Sequence, residues 1–189
     1  GPRFIPKILG NIAAAHIAIT HNIQGPSLTV STACASGGDA ISAAADCIRL
    51  GRAEVMLAVG AESVLCPLVV YSLANAKALS RHNDDPAHAS RPFDALRDGF
   101  VIGEGGGALV LETESHALKR GATIYARLMG CGNGCDAYHI TAPQPEGLGA
   151  ARCMELALKD AGFKPEQIGY INAHGTATPK GDAAETLAV

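Results

Sequence analysis

The 189-residue sequence predicts an α/β protein in which helices cover the faces of a layered sheet. Two observations carry this. Ser27 to Val30 reads as a short β-run behind a Gly25-Pro26 turn, a helical run follows to Leu50, and the apolar run AEVMLAVGAES comes next, which is strand, helix and strand in sheet-building order. Hydrophobic residues make up 48% against 17% charged, enough for a buried core, while 22 Gly and only 4% aromatics favour close backbone packing over large rings.

The first segment, PKILGNIAAAHIAITHNIQG, places Ile8, Ile12, Ala15 and Ile19 on one helical face, expected to pack beneath the strand that carries Cys34. His16 and His21 are read as ordinary helix residues. Then comes Ser31-Thr32-Ala33-Cys34-Ala35-Ser36-Gly37-Gly38, followed by a helix marked by Ile41, Ala44, Ala45 and Ile48 and stopped by Gly51. Cys34 thus sits where a strand turns into a helix. Free backbone N–H groups and the positive helix end favour a thiolate there and can bind an oxyanion on an attached carbonyl. The local pattern leaves open both this nucleophile and a buried structural thiol.

AEVMLAVGAES suits a central strand buried on both faces. Residues 67–85 read as a helix leading into a polar loop, with Lys77 and Arg81 exposed as a solvated face or a docking surface. In SRPFDALRDGFVIGEGGGALVLE, Asp98-Gly99 and residues 103–107 are turn material and ALVLE is a second buried strand. GEGGG leads into a strand with no Lys-Ser/Thr pair behind it, which excludes a nucleotide-binding loop. ESHALKRGA closes a helix with Lys119, Arg120 and Gly121. Beyond it, IYARLMGCGNG reads as a strand, CDAYHITAPQPEG as a long loop, and LGAARCMELALKDAG as an amphipathic helix that buries Met154, Ala157, Leu158 and Ala161 and stops at Gly162. QIGYINAHGTATPKGD gives a strand ending at His174. Cys34 and His174 therefore both follow a strand, where sheet-based α/β folds keep their chemistry.

Fifteen basic against 18 acidic residues give a net charge of −3, and no basic run interleaved with aromatics points to nucleic acid. No apolar stretch approaches ~20 residues, so no membrane span is expected, and the N-terminus lacks signal-peptide form. Both ends read as cut from something longer. Six cysteines in mostly apolar or helical contexts fit a reducing compartment. Cys131, Cys135 and His139 have a spacing that invites a metal, but no fourth ligand lies nearby. No metal and no cofactor are expected.

Asn172-Ala173-His174-Gly175-Thr176-Ala177-Thr178-Pro179-Lys180-Gly181-Asp182 holds a His, two hydroxyls and two glycines beyond what a strand end requires. Together with STACASG around Cys34, SRPFDALRDGFVIGEGGGALVLE and CDAYHITAPQPEG, it resembles the elongating β-ketoacyl-[acyl carrier protein] synthases, condensing enzymes of the thiolase superfamily. The motifs occur in the family's order across nearly the whole sequence. The resemblance implies an incomplete thiolase-like αβαβα layered fold. Residues 1–121 would be the later part of one pseudo-equivalent half and residues 122–189 the first part of the other, in a full-length homodimer.

It also implies roles. Cys34 matches the nucleophile that takes the acyl chain, and His174 matches the first of two histidines that assist decarboxylation of a malonyl thioester. Thr176 and Thr178 match hydroxyls that hold the pantetheine arm. Glu185 matches a carboxylate that pairs with a later lysine, with Asp182 in support. Lys77 and Arg81 become candidate contacts for an acidic acyl carrier protein, and His139 either lines the site or braces its loop. The second histidine, its lysine and a Gly-Phe-Gly loop would lie beyond Val189, so the chain alone is expected to be inactive. The expected compartment is a bacterial cytoplasm, a mitochondrion or a plastid. Alternatives are a polyketide ketosynthase, a thiolase-type or hydrolytic Cys-His acyl enzyme, and a non-catalytic carrier-binding or dimerisation module.

Overall fold

The computed structural model describes residues 1–2 and 4–189. In chain order the elements are α1 (Phe4–Ile8), α2 (Ile12–His21), α3 (Ser36–Arg49), β1 (Val55–Glu62), α4 (Pro67–Asn75), β2 (Gly105–Glu112), α5 (Glu114–Lys119), α6 (Leu148–Ala161) and α7 (Pro179–Ala188). They fall into two compact units. The first holds Gly1–Glu62 and Gly105–Arg127, the second Ser63–Glu104 and Leu128–Val189.

In the first unit, the single helix expected over the opening segment splits into α1 and α2, with Gly10 and Asn11 between them. Glycine lowers helix stability by about 1 kcal/mol against alanine, and here it separates two short runs. α2 closes at Asn22 in the left-handed region (φ 52°), where the Ile23 N–H donates to Ala18 O at 2.9 Å. Its apolar stripe is not covered as expected: Ile19 is 79% exposed. α3 matches the prediction. Ala44, Ala45 and Cys47 are buried, and the helix ends at Gly51 (φ 67°) with the Gly51 N–H on Ile48 O and the Arg52 N–H on Cys47 O. These two bonds form a Schellman motif.

β1 and β2 pair antiparallel, in register from Val55 opposite Glu112 to Glu62 opposite Gly105. α3 lies mainly over β1, where a Cβ on Gly60 would come within 3.8 Å of Gly37 Cα, so small residues let helix and strand approach closely. The expectation of strands buried on both faces is corrected. Ala58 is buried, but Leu109 and Val110 are 55% and 60% exposed. Successive side chains point to opposite faces, and among the described residues α3 supplies a covering layer on one face only.

In the second unit, α4 opens with Pro67 and closes with the same paired bonds as α3, Lys77 N–H to Ala74 O and Ala78 N–H to Leu73 O. Lys77 occupies the left-handed position usually given to glycine (φ 56°). α6 stops at Gly162, as predicted, but Met154, Ala157, Leu158 and Ala161 are half-buried rather than buried.

Three expected strands, at residues 27–30, 124–134 and 167–174, make no ladder among the described residues. β-forming residues become a strand only when neighbouring N–H and C=O groups pair with them. The second of these runs has a different partner. Gly130, Gly132 and Gly134 alternate, and a Cβ on Gly130 would lie 2.5 Å from Ala157 O, one on Gly132 2.0 Å from Cys153 O. The run presses its backbone directly onto α6, an approach open only to glycine.

Candidate active site

Cys34 lies in a single 3-10 turn, Ala33–Ala35, that runs directly into α3. The turn is held by short-range polar contacts. The Thr32 N–H donates to Ser36 Oγ at 2.8 Å, Ser36 Oγ donates to Ala33 O at 2.7 Å, and Thr32 Oγ1 donates to Asp39 Oδ2 at 2.6 Å. Ala33 takes φ 53°, a left-handed conformation that costs an L-residue about 1–2 kcal/mol and turns the chain sharply just before the thiol. Cys34 is a free, exposed cysteine between two alanines. Among the described residues the thiol is exposed rather than buried.

His174 lies in a loop that ends at the N-cap of α7. Its N–H donates to Glu185 Oε1 at 2.5 Å and the Gly175 N–H donates to Glu185 Oε2 at 2.8 Å, so one carboxylate grips two successive amides from α7. Thr176 and Thr178 bring their hydroxyls to 3.0 Å, and Thr178 Oγ1 caps α7 by accepting the Gly181 N–H at 3.2 Å. Pro179 follows at the first helical position, where its missing N–H costs nothing. Asp182, 1% exposed, accepts the Phe93 N–H on Oδ2 at 2.6 Å and faces Arg97 Nε at 3.2 Å. The second unit therefore gathers His174, Thr176, Thr178, Asp182 and Glu185.

Lys77 and Arg81 are both exposed. Lys77 terminates α4, and the Arg81 N–H donates to Asp98 Oδ2 at 2.9 Å. The Ser80 hydroxyl first, and this Arg81 N–H second, hold the Asp98 carboxyl below its ordinary range. His139 Nδ1 accepts the Thr141 and Ala142 N–H groups at 3.1 and 3.0 Å, which makes it a brace for its own loop. Among the described residues no group of three or more His, Cys, Asp or Glu is placed to hold a metal.

Sequence reasoning missed Phe93 and Arg97. Arg97 donates to Thr178 O, 81 residues away, and to Pro179 O, 82 residues away. No local pattern can signal a partner at that separation.

The profile described as β-ketoacyl synthase, N-terminal domain, matches residues 1–117, and that described as β-ketoacyl synthase, C-terminal domain, matches residues 125–189. The chain is 50% identical over 188 residues to a 3-oxoacyl-[acyl-carrier-protein] synthase 2 of Synechocystis, covering 100% of this chain and 45% of that protein. It is also similar to two Arabidopsis thaliana proteins. One is a chloroplastic 3-oxoacyl-[acyl-carrier-protein] synthase I (47% identical, 100% of this chain, 40% of that protein), the other a mitochondrial 3-oxoacyl-[acyl-carrier-protein] synthase (50%, 100% and 41%). The chain spans less than half the length of these curated relatives. Among solved structures, a type II polyketide ketosynthase in complex with its acyl-carrier protein superposes with a TM-score of 0.90 at 43% identity, covering 94% of this chain and 44% of that one. The architecture is that of the thiolase-like α/β ketosynthases.

Proposed function

The chain belongs to the β-ketoacyl synthase family, and from that premise we propose that the protein carrying it elongates fatty acids by condensing an acyl group on Cys34 with malonyl-[acyl carrier protein]. The observation that carries the reading is that the two family profiles, continuous over 1–117 and 125–189, each contain one of the two reactive groups. Cys34 is in the first and His174 in the second.

In the first half-reaction the Cys34 thiolate attacks the carbonyl of an acyl thioester, backbone N–H groups stabilise the oxyanion, and the carrier thiol leaves. In the second, the malonyl C–C bond breaks, CO2 departs, and the electron pair forms an enolate whose oxygen accepts a hydrogen bond from His174. The enolate carbon attacks the acyl-Cys34 carbonyl and the cysteine thiolate leaves, which yields a β-ketoacyl thioester on the carrier. Thr176 and Thr178 hold the pantetheine arm, Glu185 and Asp182 support the loop, and no metal or other cofactor takes part. Lys77 and Arg81 contact the acidic carrier. That a structural neighbour was solved with its acyl-carrier protein supports the partnership.

The two pseudo-equivalent halves meet near Gly121-Ala122, a reading supported by the gap between the two profiles, and the full-length protein is a homodimer. Its compartment is a bacterial cytoplasm, a mitochondrion or a plastid, the last two supported by the mitochondrial and chloroplastic relatives named above. Fatty-acid elongation is preferred to polyketide assembly because the 3-oxoacyl-[acyl-carrier-protein] synthases are the more similar in sequence. The test supplies the full-length protein with acyl and malonyl carriers and measures CO2 and β-ketoacyl-carrier together. Equal amounts of the two products are expected. Free fatty acid released without malonyl carrier would instead identify a hydrolase and overturn the reading.

A further inference from the structure

The loop that carries His174 does not hold its shape unaided. Gly175 (φ 50°) and Ala177 (φ 61°) both take the left-handed region, and Ala177 is fully buried at 0% exposure. A segment from far upstream, residues 92–99, lies along the loop. The Gly99 N–H donates to Ala177 O at 3.0 Å, and a Cβ on Gly175 would come within 3.4 Å of the Phe93 ring and of Pro92 Cβ. Phe93 is itself left-handed (φ 65°), an outlier for a bulky residue, and its N–H meets Asp182 Oδ2.

Arg97 ties these pieces together. Its Nε faces Asp182 Oδ2 at 3.2 Å and Thr178 O at 3.4 Å, Nη2 donates to Pro179 O at 2.9 Å, and Nη1 donates to Asp94 O at 2.9 Å. One planar guanidinium thus spans a buried carboxylate, the N-cap and the first residue of α7, a geometry that a lysine ammonium cannot reproduce. Two turns further along the same helix, Glu185 holds the N–H groups of His174 and Gly175. A rigid helix transmits a shift of its first turn to its next, so whatever fixes the start of α7 also fixes Glu185 and, through it, His174.

We infer that Arg97 is a positioning residue for decarboxylation, setting the His174 loop and the Thr176–Thr178 hydroxyl pair through the first turn of α7. The inference rests on the condensing-enzyme reading above. Displacing a catalytic group by about 1 Å costs on the order of a hundredfold in rate. In the full-length protein, malonyl-carrier decarboxylation would be followed at saturating substrate after Cys34 has been alkylated with iodoacetamide. Melting temperature and the iodoacetamide rate itself would be measured beside it.

For Arg97→Ala, kcat is expected to fall by roughly ten- to a hundredfold while the rate of Cys34 alkylation stays at the wild-type value. Arg97→Lys keeps a cation opposite Asp182 but loses the fork, and is expected to fall between wild type and Arg97→Ala. If Arg97→Ala does not fold, Arg97→Lys carries the same test alone. Wild-type decarboxylation kinetics in a folded Arg97→Lys or Arg97→Ala protein would overturn the inference, as would a loss that merely tracks the folded fraction and slows alkylation equally. An absence of decarboxylation in the wild-type protein would instead refute the condensing-enzyme reading.

Discussion

The Cys34 turn and the His174 loop are held in shape by opposite means. The polar contacts that shape the Cys34 turn span three to seven residues of sequence, and the thiol stands exposed on a turn that α3 continues. The His174 loop depends on α7 immediately after it and on residues 92–99, from which Phe93 reaches Asp182 of α7 across 89 residues of sequence. On the roles proposed above, the nucleophile is presented by one local turn, whereas the donor to the enolate is framed by distant segments.

The widest contrast comes from removing the reactive groups in the full-length protein. Cys34→Ala is expected to abolish acylation, a loss of at least about a thousandfold in condensation. His174→Ala should leave the acyl-enzyme intact and slow decarboxylation by about a hundredfold. Intact-mass measurement of the acyl adduct, set beside CO2 release, separates the two. If both variants lost acylation alike, the division of labour would be wrong.

Next in size is the frame. Asp182→Ala leaves the Phe93 N–H and Arg97 without their acceptor in a site that is 1% exposed, and should destabilise the native state by about 3 kcal/mol. Denaturant unfolding measures it. A loss no greater than that of a surface substitution would mean that residues 92–99 are not a strap.

A finer comparison uses the two left-handed alanines. Ala33→Gly and Ala177→Gly both relieve backbone strain, but Ala177 also buries its methyl completely. Ala33→Gly should therefore be the more stable variant by about 1 kcal/mol, read from the same unfolding curves. Equal stabilities would erase the distinction between the exposed turn and the buried loop.

The smallest effect concerns pH and lies in the first unit, away from both reactive groups in sequence. Glu112, at the end of β2, accepts from Arg120 Nε at 2.8 Å and from His116 Nδ1 at 2.6 Å. Arg120 first, and His116 second, hold its carboxyl down from 4.5 to about 2. A carboxylate that titrates lower in the folded state favours folding above pH 4.5, and that advantage fades as the pH falls toward 2. Glu112→Gln should flatten the acid limb of a plot of urea midpoint against pH across that window and leave the neutral range nearly unchanged.

What was legible in the sequence follows the same contrast. The Cys34 turn, the extent of α3, and the stops at Gly51, Gly121 and Gly162 were all readable, because each is written within a few residues. Arg97 and Phe93 were not, since their meaning lies in partners more than 80 residues away. The expected strands at 27–30, 124–134 and 167–174 were misread for a related reason. Apolar and β-branched content shows that a run suits a ladder, not that a neighbour is there to make one. The alternation of Gly130, Gly132 and Gly134 was a signal in plain view, a glycine face made for the backbone of α6.

The most direct test of the central claim is to incubate the full-length protein with an acyl-carrier thioester, find the acyl group by peptide mass spectrometry, and then add malonyl carrier. We predict a stable acyl adduct on the peptide containing Cys34 that is discharged only when malonyl carrier arrives. An adduct on any other residue, or one lost to water before malonyl carrier is added, would contradict it.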